Sequence, residues 1–167
     1  MKVPGMYVNL KSVNFDSLEK HLRDIAIRSV DTESEEELGA YTDIMIRAFQ
    51  VGGPVREPLE RFTYEFQRYP NSSHYLVISD NQPVACASVI YCAGVAGVYN
   101  VATLPEYQRK GFATALMVTI MKEARDKGYQ YSILHSSDKG KYVYEQLGYK
   151  VKFWFKRYLL RPKDVGL

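Results

Sequence analysis

The chain has 167 residues, the size of one domain, and is long enough to bury about two-thirds of its unfolded surface without a disulfide or a metal. Its charged fraction of 25% and hydrophobic fraction of 46% are ordinary for a globular domain. The formal net charge of +3 is too small to indicate a nucleic-acid-binding protein, although it is compatible with an anionic cofactor.

Two cysteines, Cys86 and Cys92, lie six residues apart in one predicted strand. At about 3.3 Å per residue they are roughly 20 Å apart and cannot form a disulfide with each other. The sequence has no apolar leader and no apolar run long enough to span a bilayer. We therefore predict a cytoplasmic, reduced protein that does not bind a membrane, with both thiols as small buried side chains.

The first 24 residues have no clear hydrophobic period, so we treat 1–24, through His21 and Arg23, as an extension with at most one strand. Residues 25–167 form the main domain. It begins with a strand at 25–30 and a helix that starts in the acidic cluster 33–37 and ends near Gln50. A second helix follows at 58–69, behind a proline suited to a first turn.

The remaining predicted elements are five strands and two helices. Segments 75–79 and 84–91 flank a turn and predict an antiparallel hairpin, and 94–103 predicts a third strand in which Gly94 and Gly97 suggest a bend or bulge. A helix at 111–127, a strand at 129–135, a helix at 139–147 and a strand ending at 156 complete the pattern, with a continuation to Leu160 left open. This order predicts an α+β fold.

A basic, glycine-bearing turn connects strand 94–103 to helix 111–127. Its sequence is Val101-Ala102-Thr103-Leu104-Pro105-Glu106-Tyr107-Gln108-Arg109-Lys110-Gly111-Phe112-Ala113. The first N–H groups of a helix have no intrahelical partner and lie at the positive end of its dipole, so they bind phosphate. Gly111 lets the backbone approach a ligand, and Arg109 and Lys110 add positive charge. The turn therefore predicts a pyrophosphate site.

The pattern Gln108-x-x-Gly111-x-Ala113 resembles the acetyl-CoA motif Q/R-x-x-G-x-G/A of the GNAT superfamily of acyl-CoA N-acyltransferases. Pro105 and Tyr107 also stand where the longer motif of this family places them. Downstream, Tyr144-Glu145-Gln146-Leu147-Gly148-Tyr149 resembles the family segment Y-E-x-L-G-F/Y. Two matches at the family's spacing are much more specific than either alone.

The resemblance implies a GNAT-type mixed, mostly antiparallel central sheet of six or seven strands, with helices on both faces. It also implies acetyl-CoA as acyl donor, bound where the strand before the motif splays from its parallel neighbour, and no metal. Ser137 and Gly140 stand where the family often has Asn and Ala. The predicted acetyl-CoA-binding residues are Val101, Ala102, Thr103, Gln108, Arg109, Lys110, Gly111, Phe112, Ala113, Thr114, Ser137 and Gly140.

The resemblance also implies that Tyr144 donates a proton to the thiolate of CoA as the tetrahedral intermediate collapses. Tyr142 offers a competing hydroxyl. A general base is not assigned, because the strand before the motif has Tyr99 and Asn100 where many relatives carry a glutamate. His74, His135 and a water chain ordered by backbone carbonyls or by Tyr99 all remain open, whereas Glu106 lies too near the phosphate turn.

The leading hypothesis is an N-acetyltransferase that acts on a primary amine of a small molecule or peptide; a homodimer is compatible with it. Arg56, Glu57 and Arg61 are candidates to bind a charged acceptor. An alternative is a non-catalytic acyl-CoA-binding or regulatory domain. We disfavour nucleic-acid binding by the basic and aromatic C-terminal run, because its residues alternate between a predicted core face and a solvated face. The core face is Tyr149, Val151, Phe153 and Phe155, and the solvated face is Lys150, Lys152, Trp154 and Lys156.

Overall fold

The computed structural model describes residues 2–20, 22 and 24–158. Within them the strands are β1 (Lys2–Asn9), β2 (Ala26–Ser29), β3 (Ser72–Ser79), β4 (Gln82–Cys92), β5 (Val95–Thr103), β6 (Tyr131–His135) and β7 (Lys150–Lys156). The α-helices are α1 (Phe15–Glu19), α2 (Glu35–Ala48), α3 (Arg56–Gln67), α4 (Phe112–Asp126) and α5 (Asp138–Gln146). Every element predicted between residues 25 and 156 is present, with its ends within three residues of those expected.

The seven strands form one sheet in the order β2-β3-β4-β5-β6-β1-β7. Five of the neighbouring pairs are antiparallel, and only β5 and β6 run parallel among the described strands. The predicted mixed, mostly antiparallel sheet is therefore confirmed. Helix α4 connects the parallel pair, as such a connection requires a crossover.

Helices cover both faces of the sheet, as predicted. On one face, Leu116, Met117 and Ile120 of α4 are fully buried in the larger core cluster. On the other face, Leu38 and Tyr41 of α2 pack in a second cluster, with Leu76 of β3 and Cys86 of β4. Each helix buries the apolar stripe that its 3.6-residue period creates.

The N-terminal segment, set apart by its sequence as 1–24, supplies an internal strand. β1 pairs antiparallel with β6 on one side and with β7 on the other. Met6 and Val8 are buried in the larger core, and Phe15 of α1 joins them there. The described part of this segment is thus built into the sheet.

The predicted bulge in β5 is displaced. Gly97 pairs regularly with Ile90 and Ile133, and Gly94 lies in the tight turn before β5 with a φ of +78°. The register shift falls where β5 faces the Cys86–Ser88 part of β4, next to Asn100, whose φ is +56°. An extra residue on one strand bends that strand and re-aims its side chains, and this bend lies directly before the motif.

The predicted core face of β7 is only partly correct. Tyr149 is buried and Val151 is half-buried, but Phe153 and Phe155 are exposed to 50% and 39%. The prediction of one continuous face is wrong, because the register of β7 against β1 shifts between Val151 and Phe153 and leaves Lys152 as an extra residue. The two phenylalanine rings contact each other on the opposite face of the sheet from Tyr149 and Val151. No described helix covers that face beyond β5, so an apolar side chain there stays in contact with solvent.

The continuation of the last strand to Leu160 is not observed, because β7 ends at Lys156 and the next two residues, Arg157 and Tyr158, are not in a strand. His21 and Arg23 of the extension lie outside the described residues. Cys86 and Cys92 are both free, as predicted, although Cys92 is exposed and only Cys86 is buried. Among the helices of the described residues, none combines the length and the apolar character that crossing a membrane requires.

Candidate active site

The parallel strands β5 and β6 separate at one end. Their pairing stops at Val98 and Leu134, while β5 continues to Thr103 and β6 ends at His135. The side of β5 that faces β6 therefore has no strand partner from Tyr99 onward among the described residues. Two cavities open at this point, one toward α4 and one toward the C-terminal end of α2.

The turn between β5 and α4 has the geometry of an anion site. Arg109 and Gly111 both adopt left-handed backbone conformations, with φ of +65° and +85°. Successive N–H groups in such a turn converge on one point. Gly111 is the N-cap of α4 and no described side chain caps this terminus, whereas Ser34 caps α2 and Ser137 caps α5. The first N–H groups of α4 thus remain available to a ligand.

A cavity of about 340 Å³ unites the predicted residues. It is lined by Val101, Thr103, Gln108, Arg109, Gly111, Phe112, Ala113, Thr114, Ser137, Gly140 and Tyr144, together with Tyr107, Lys139 and Val143. Two predicted residues do not line it. Ala102 points into the core cluster under α2, as strand alternation requires, and the ammonium of Lys110 lies over the Tyr107 ring at 4.7 Å. A Cβ at Gly111 would meet no atom within 4 Å, so the backbone here faces open space.

Neighbouring side chains brace the turn. Gln108 Nε2 donates to the Thr103 carbonyl at 3.3 Å, which ties the turn to the end of β5. Gln82 Nε2 donates to the Tyr107 hydroxyl at 2.5 Å. Arg47, at the end of α2, forms an ion pair with Glu106 at 2.5 Å. These contacts tie the turn to β5, β4 and α2.

Helix α5 brings Tyr144 to the cavity. Ser137 Oγ accepts a hydrogen bond from the Gly140 N–H at 3.1 Å and so fixes the start of α5. Burial raises the pKa of Tyr144 to about 12, which keeps its phenol protonated. Its ring packs edge-on against Tyr149, with ring centres 6.0 Å apart.

Tyr144 also lines the second cavity, of about 170 Å³, as do Val101 and Ser137. Its phenol therefore stands at the boundary between the cavity at the phosphate turn and the cavity beside Tyr99. Tyr142 lies on the same helix but is 69% exposed and lines neither cavity. The geometry thus favours Tyr144 over Tyr142 as the proton donor.

The structure separates the candidate bases. His74 is buried, shares hydrogen bonds with the Ser72 and Ser88 hydroxyls at 2.9 and 2.6 Å, and lines neither cavity. Burial lowers its pKa to about 4. His135, in contrast, lines the second cavity together with Tyr99 and Tyr144. Of the two histidines, only His135 reaches the cavity that contains Tyr144.

Other candidates lie elsewhere. Glu106 is exposed, and hydrogen bonding to its own backbone and to Arg47 lowers its pKa, so it is a poor base. Arg61 and Glu57 line a separate surface cleft, and Arg56 pairs with Asp43 and Glu60.

A larger cavity of about 760 Å³, between α1, β2 and α4, contains none of the predicted site residues. The described residues hold no group of side chains able to bind a metal.

Phe49 is a site residue that the sequence did not single out, and Asn100 is one that the sequence marked only as lacking a carboxylate. Both line the second cavity, Phe49 from the end of α2 and Asn100 from the bulge in β5. Phe49 ends an otherwise regular apolar stripe, so nothing in its spacing separates it from core residues. Asn100 stands out by its left-handed backbone, with a φ of +56°, and that conformation is known only from the structure.

The fold and the splayed strands define an acetyltransferase-type domain, and comparison with known proteins agrees. The family model described as acetyltransferase (GNAT) family matches residues 38–149, more than half of the chain. The chain therefore belongs to the GNAT acetyltransferase family. No curated protein is significantly similar in sequence.

Solved structures with the same fold include relatives at low identity. A conserved protein of unknown function from Staphylococcus epidermidis has a TM-score of 0.71 at 16% identity, and the GCN5-related N-acetyltransferase from Kribbella flavida has 0.67 at 22%. Each match covers 92% of this chain but only 58% and 56% of the other. A predicted acetyltransferase from Clostridium acetobutylicum, solved with acetyl-CoA, has a TM-score of 0.62 at 16% identity, covering 80% of this chain and 96% of that one.

Proposed function

We propose that the protein transfers the acetyl group of acetyl-CoA directly to a primary amine, with Tyr144 as the proton donor to the departing thiolate. Membership of the GNAT acetyltransferase family supports acyl-CoA-dependent transfer. The observation that carries the finer proposal is the position of Tyr144, which lines both the cavity at the phosphate turn and the cavity beside Tyr99. Location in the cytoplasm stays a prediction from the sequence.

The residues present suit the pyrophosphate of acetyl-CoA. The N-terminus of α4 is uncapped, the turn before it is left-handed at Arg109 and Gly111, and the space above Gly111 is open. The unpaired edge of β5 at Val101 supplies backbone groups next to the same cavity. An anion gains both hydrogen bonds and helix-dipole attraction at such a site.

The role proposed for Tyr144 in acetyl transfer depends on its phenol being protonated. The bound thioester supplies the acyl group, and a thiolate leaves when the amine nitrogen bonds to the carbonyl carbon. Because burial raises the pKa of Tyr144 to about 12, its phenol is a proton donor and not a base at neutral pH. Its placement between the cavities supports a role in giving that proton to the departing sulfur.

Acetyl-CoA binding is tested by thermal unfolding, with NAD and ATP at the same concentration as controls. A ligand at about 100 times its Kd stabilises the fold by roughly 2.7 kcal/mol, which raises Tm by several degrees in a domain of this size. We expect the shift with acetyl-CoA alone. An unchanged Tm at millimolar acetyl-CoA would overturn the proposal.

Catalysis is tested by Tyr144→Phe, with Tyr142→Phe as the matched control on the same helix. We expect Tyr144→Phe to lower kcat by roughly 100-fold or more, the range of general acid catalysis, with acetyl-CoA affinity retained. Tyr142→Phe should leave kcat unchanged, because its side chain is largely exposed. Acetyl-CoA binding without transfer to any amine would instead support the non-catalytic acyl-CoA-binding domain.

A further inference from the structure

The sheet has an uncovered face beside the second cavity. There, Gly5, Tyr7, Tyr99, Ile133 and Phe153 line a cavity of about 190 Å³, together with Met6, Leu134, His135 and Lys152. Tyr99, Leu134 and His135 line the second cavity as well. The apolar cavity, as we call this space over β1 and β6, thus adjoins the cavity that contains Tyr144, with three side chains between them.

Two glycines shape the apolar cavity. A Cβ at Gly5 would come within 2.6 Å of the Phe153 ring, so that ring lies directly on the backbone of β1. A Cβ at Gly97 would come within 3.0 Å of Tyr99 Cε2, so the Tyr99 ring lies back over β5 in the same way. Ile133 sits on β6, which lies between these two strands. The two rings thus flank the aliphatic side chain of Ile133, and the polar groups of the lining are the Tyr7 and Tyr99 hydroxyls, the His135 imidazole and the Lys152 ammonium.

Charge around the apolar cavity selects against polycations. No carboxylate occurs among the described residues that line it or the second cavity, and Lys152 is the only ammonium. A second ammonium on the acceptor would be desolvated there without a partner, which is costly. The volume is below the usual 300–1,000 Å³ of ligand sites, so it suits one compact group.

We propose, resting on the proposed function, that the apolar cavity binds the acceptor, a primary monoamine with a compact aromatic or aliphatic body. Its amine reaches the second cavity, and His135, at the junction, accepts the proton that the ammonium must lose. The body stacks between Phe153 and Tyr99 over Ile133, where aromatic side chains favour edge or offset contacts. A free arylalkylamine and the α-amine of an apolar residue share this chemistry.

The proton balance of the transfer is complete with these groups. The ammonium gives one proton to His135, and the neutral nitrogen then bonds to the carbonyl carbon of the thioester. The carbon–sulfur bond breaks, and the leaving thiolate takes the phenol proton of Tyr144. The nitrogen's surplus proton passes to the phenolate, which restores Tyr144, and His135 releases its proton to solvent.

The acceptor class is tested by release of CoA thiol from acetyl-CoA with a panel of amines. The panel contains 2-phenylethylamine, phenylalanine amide, ethylamine, spermidine and kanamycin. We expect kcat/KM for one or both phenyl compounds to exceed that for ethylamine and spermidine at least tenfold. A preference for 2-phenylethylamine indicates a free arylalkylamine as acceptor, and a preference for phenylalanine amide indicates the α-amine of an apolar residue. Transfer to spermidine or kanamycin in preference to both overturns this inference alone. If acetyl-CoA binds but none of the amines causes thiol release, the proposed function is overturned too.

Phe153→Ala tests the cavity, with Trp154→Ala as its matched control. The two side chains are 50% and 51% exposed on the same strand, but they point to opposite faces. We expect Phe153→Ala to raise KM for the best amine about tenfold, with KM for acetyl-CoA unchanged. Equal effects of the two variants overturn the inference. So does a change from dimer to monomer in sedimentation caused by Phe153→Ala, because it would show a second copy of the chain on this face.

His135→Ala tests the proton acceptor. We expect kcat to fall at least 100-fold, with Tm and acetyl-CoA affinity unchanged, and imidazole in the buffer to restore part of the lost rate. Imidazole should not accelerate the wild type or Tyr144→Phe. A normal kcat in His135→Ala, or a loss that imidazole does not restore, removes His135 from the mechanism.

Discussion

Gly140 lies one turn before Tyr144 on α5, and its lack of a side chain lets the phenol ring pack against the helix backbone. A Cβ at Gly140 would be 3.0 Å from Tyr144 Cε2 and 3.3 Å from Ser137 Oγ. The contact with the ring is closer than ordinary van der Waals separation. The position of the proposed proton donor therefore depends on a residue that has no side chain.

Gly140→Ala should displace the Tyr144 ring and lower kcat about tenfold or more, because proton transfer requires a donor within hydrogen-bond reach. The control is Gly39→Ala in α2, where an added Cβ meets no atom within 4 Å. It should leave kcat unchanged and raise stability by about 0.5–1 kcal/mol, the helix preference of alanine over glycine. Steady-state kinetics with urea unfolding checks both variants; an unaltered kcat in Gly140→Ala contradicts the argument.

Gly111→Ala should weaken acetyl-CoA binding, and Gly128→Ala at the other end of α4 is its matched control. Both glycines have left-handed φ, of +85° and +88°, and open space around them. Each substitution should destabilise the fold by about 1–2 kcal/mol. Only Gly111 faces the cavity at the phosphate turn, so only Gly111→Ala should raise the Kd for acetyl-CoA, about tenfold or more. Calorimetric titration of both variants decides this.

The pH dependence of kcat should show a protonated Tyr144 well above pH 10. Burial raises the phenol pKa from 10 to about 12, so the proton donor persists below pH 12 and is lost only above it. Between pH 8 and 10.5 we expect no fall in kcat, with circular dichroism confirming that the fold persists. If kcat instead falls to half near pH 10, and this fall is absent in Tyr144→Phe, the pKa of the Tyr144 phenol is not raised and the prediction is wrong.

Stability should fall in mild acid because of His74. Its folded pKa of about 4 lies below the unfolded value of 6.5, so its contribution is present above pH 6.5 and is lost as pH falls toward 4. At about 1.4 kcal/mol per pH unit, this loss is on the order of 3 kcal/mol. His74→Gln should flatten the dependence of the unfolding free energy on pH between 6.5 and 4. Urea unfolding at each pH measures this free energy. The same loss between pH 6.5 and 4 in wild type and variant would contradict the prediction.

Local signals in the sequence predicted much of the site. Gly111 marked the start of α4, and the spacing from Tyr144 to Gly148 placed the phenol on α5; one cavity now contains Gly111 and Tyr144. Non-local contacts decided what the sequence missed. Asn100 takes the bulge because β4 and β5 shift in register there. Phe153 is exposed because a register shift between β1 and β7 turns it away from the core face of Val151. Neither fact follows from a period within one segment.

The position of β1 constrains the order in which this chain acquires its structure. β1 is synthesised before the other described strands, but both of its partners, β6 and β7, lie more than 120 residues later. Its buried Met6 and Val8 have no native neighbours in the sheet until β6 and β7 have been synthesised. Such distant pairing slows folding and prolongs exposure of apolar segments. Of the described strands, β1 is therefore the one whose apolar side chains we expect chaperones to protect for longest.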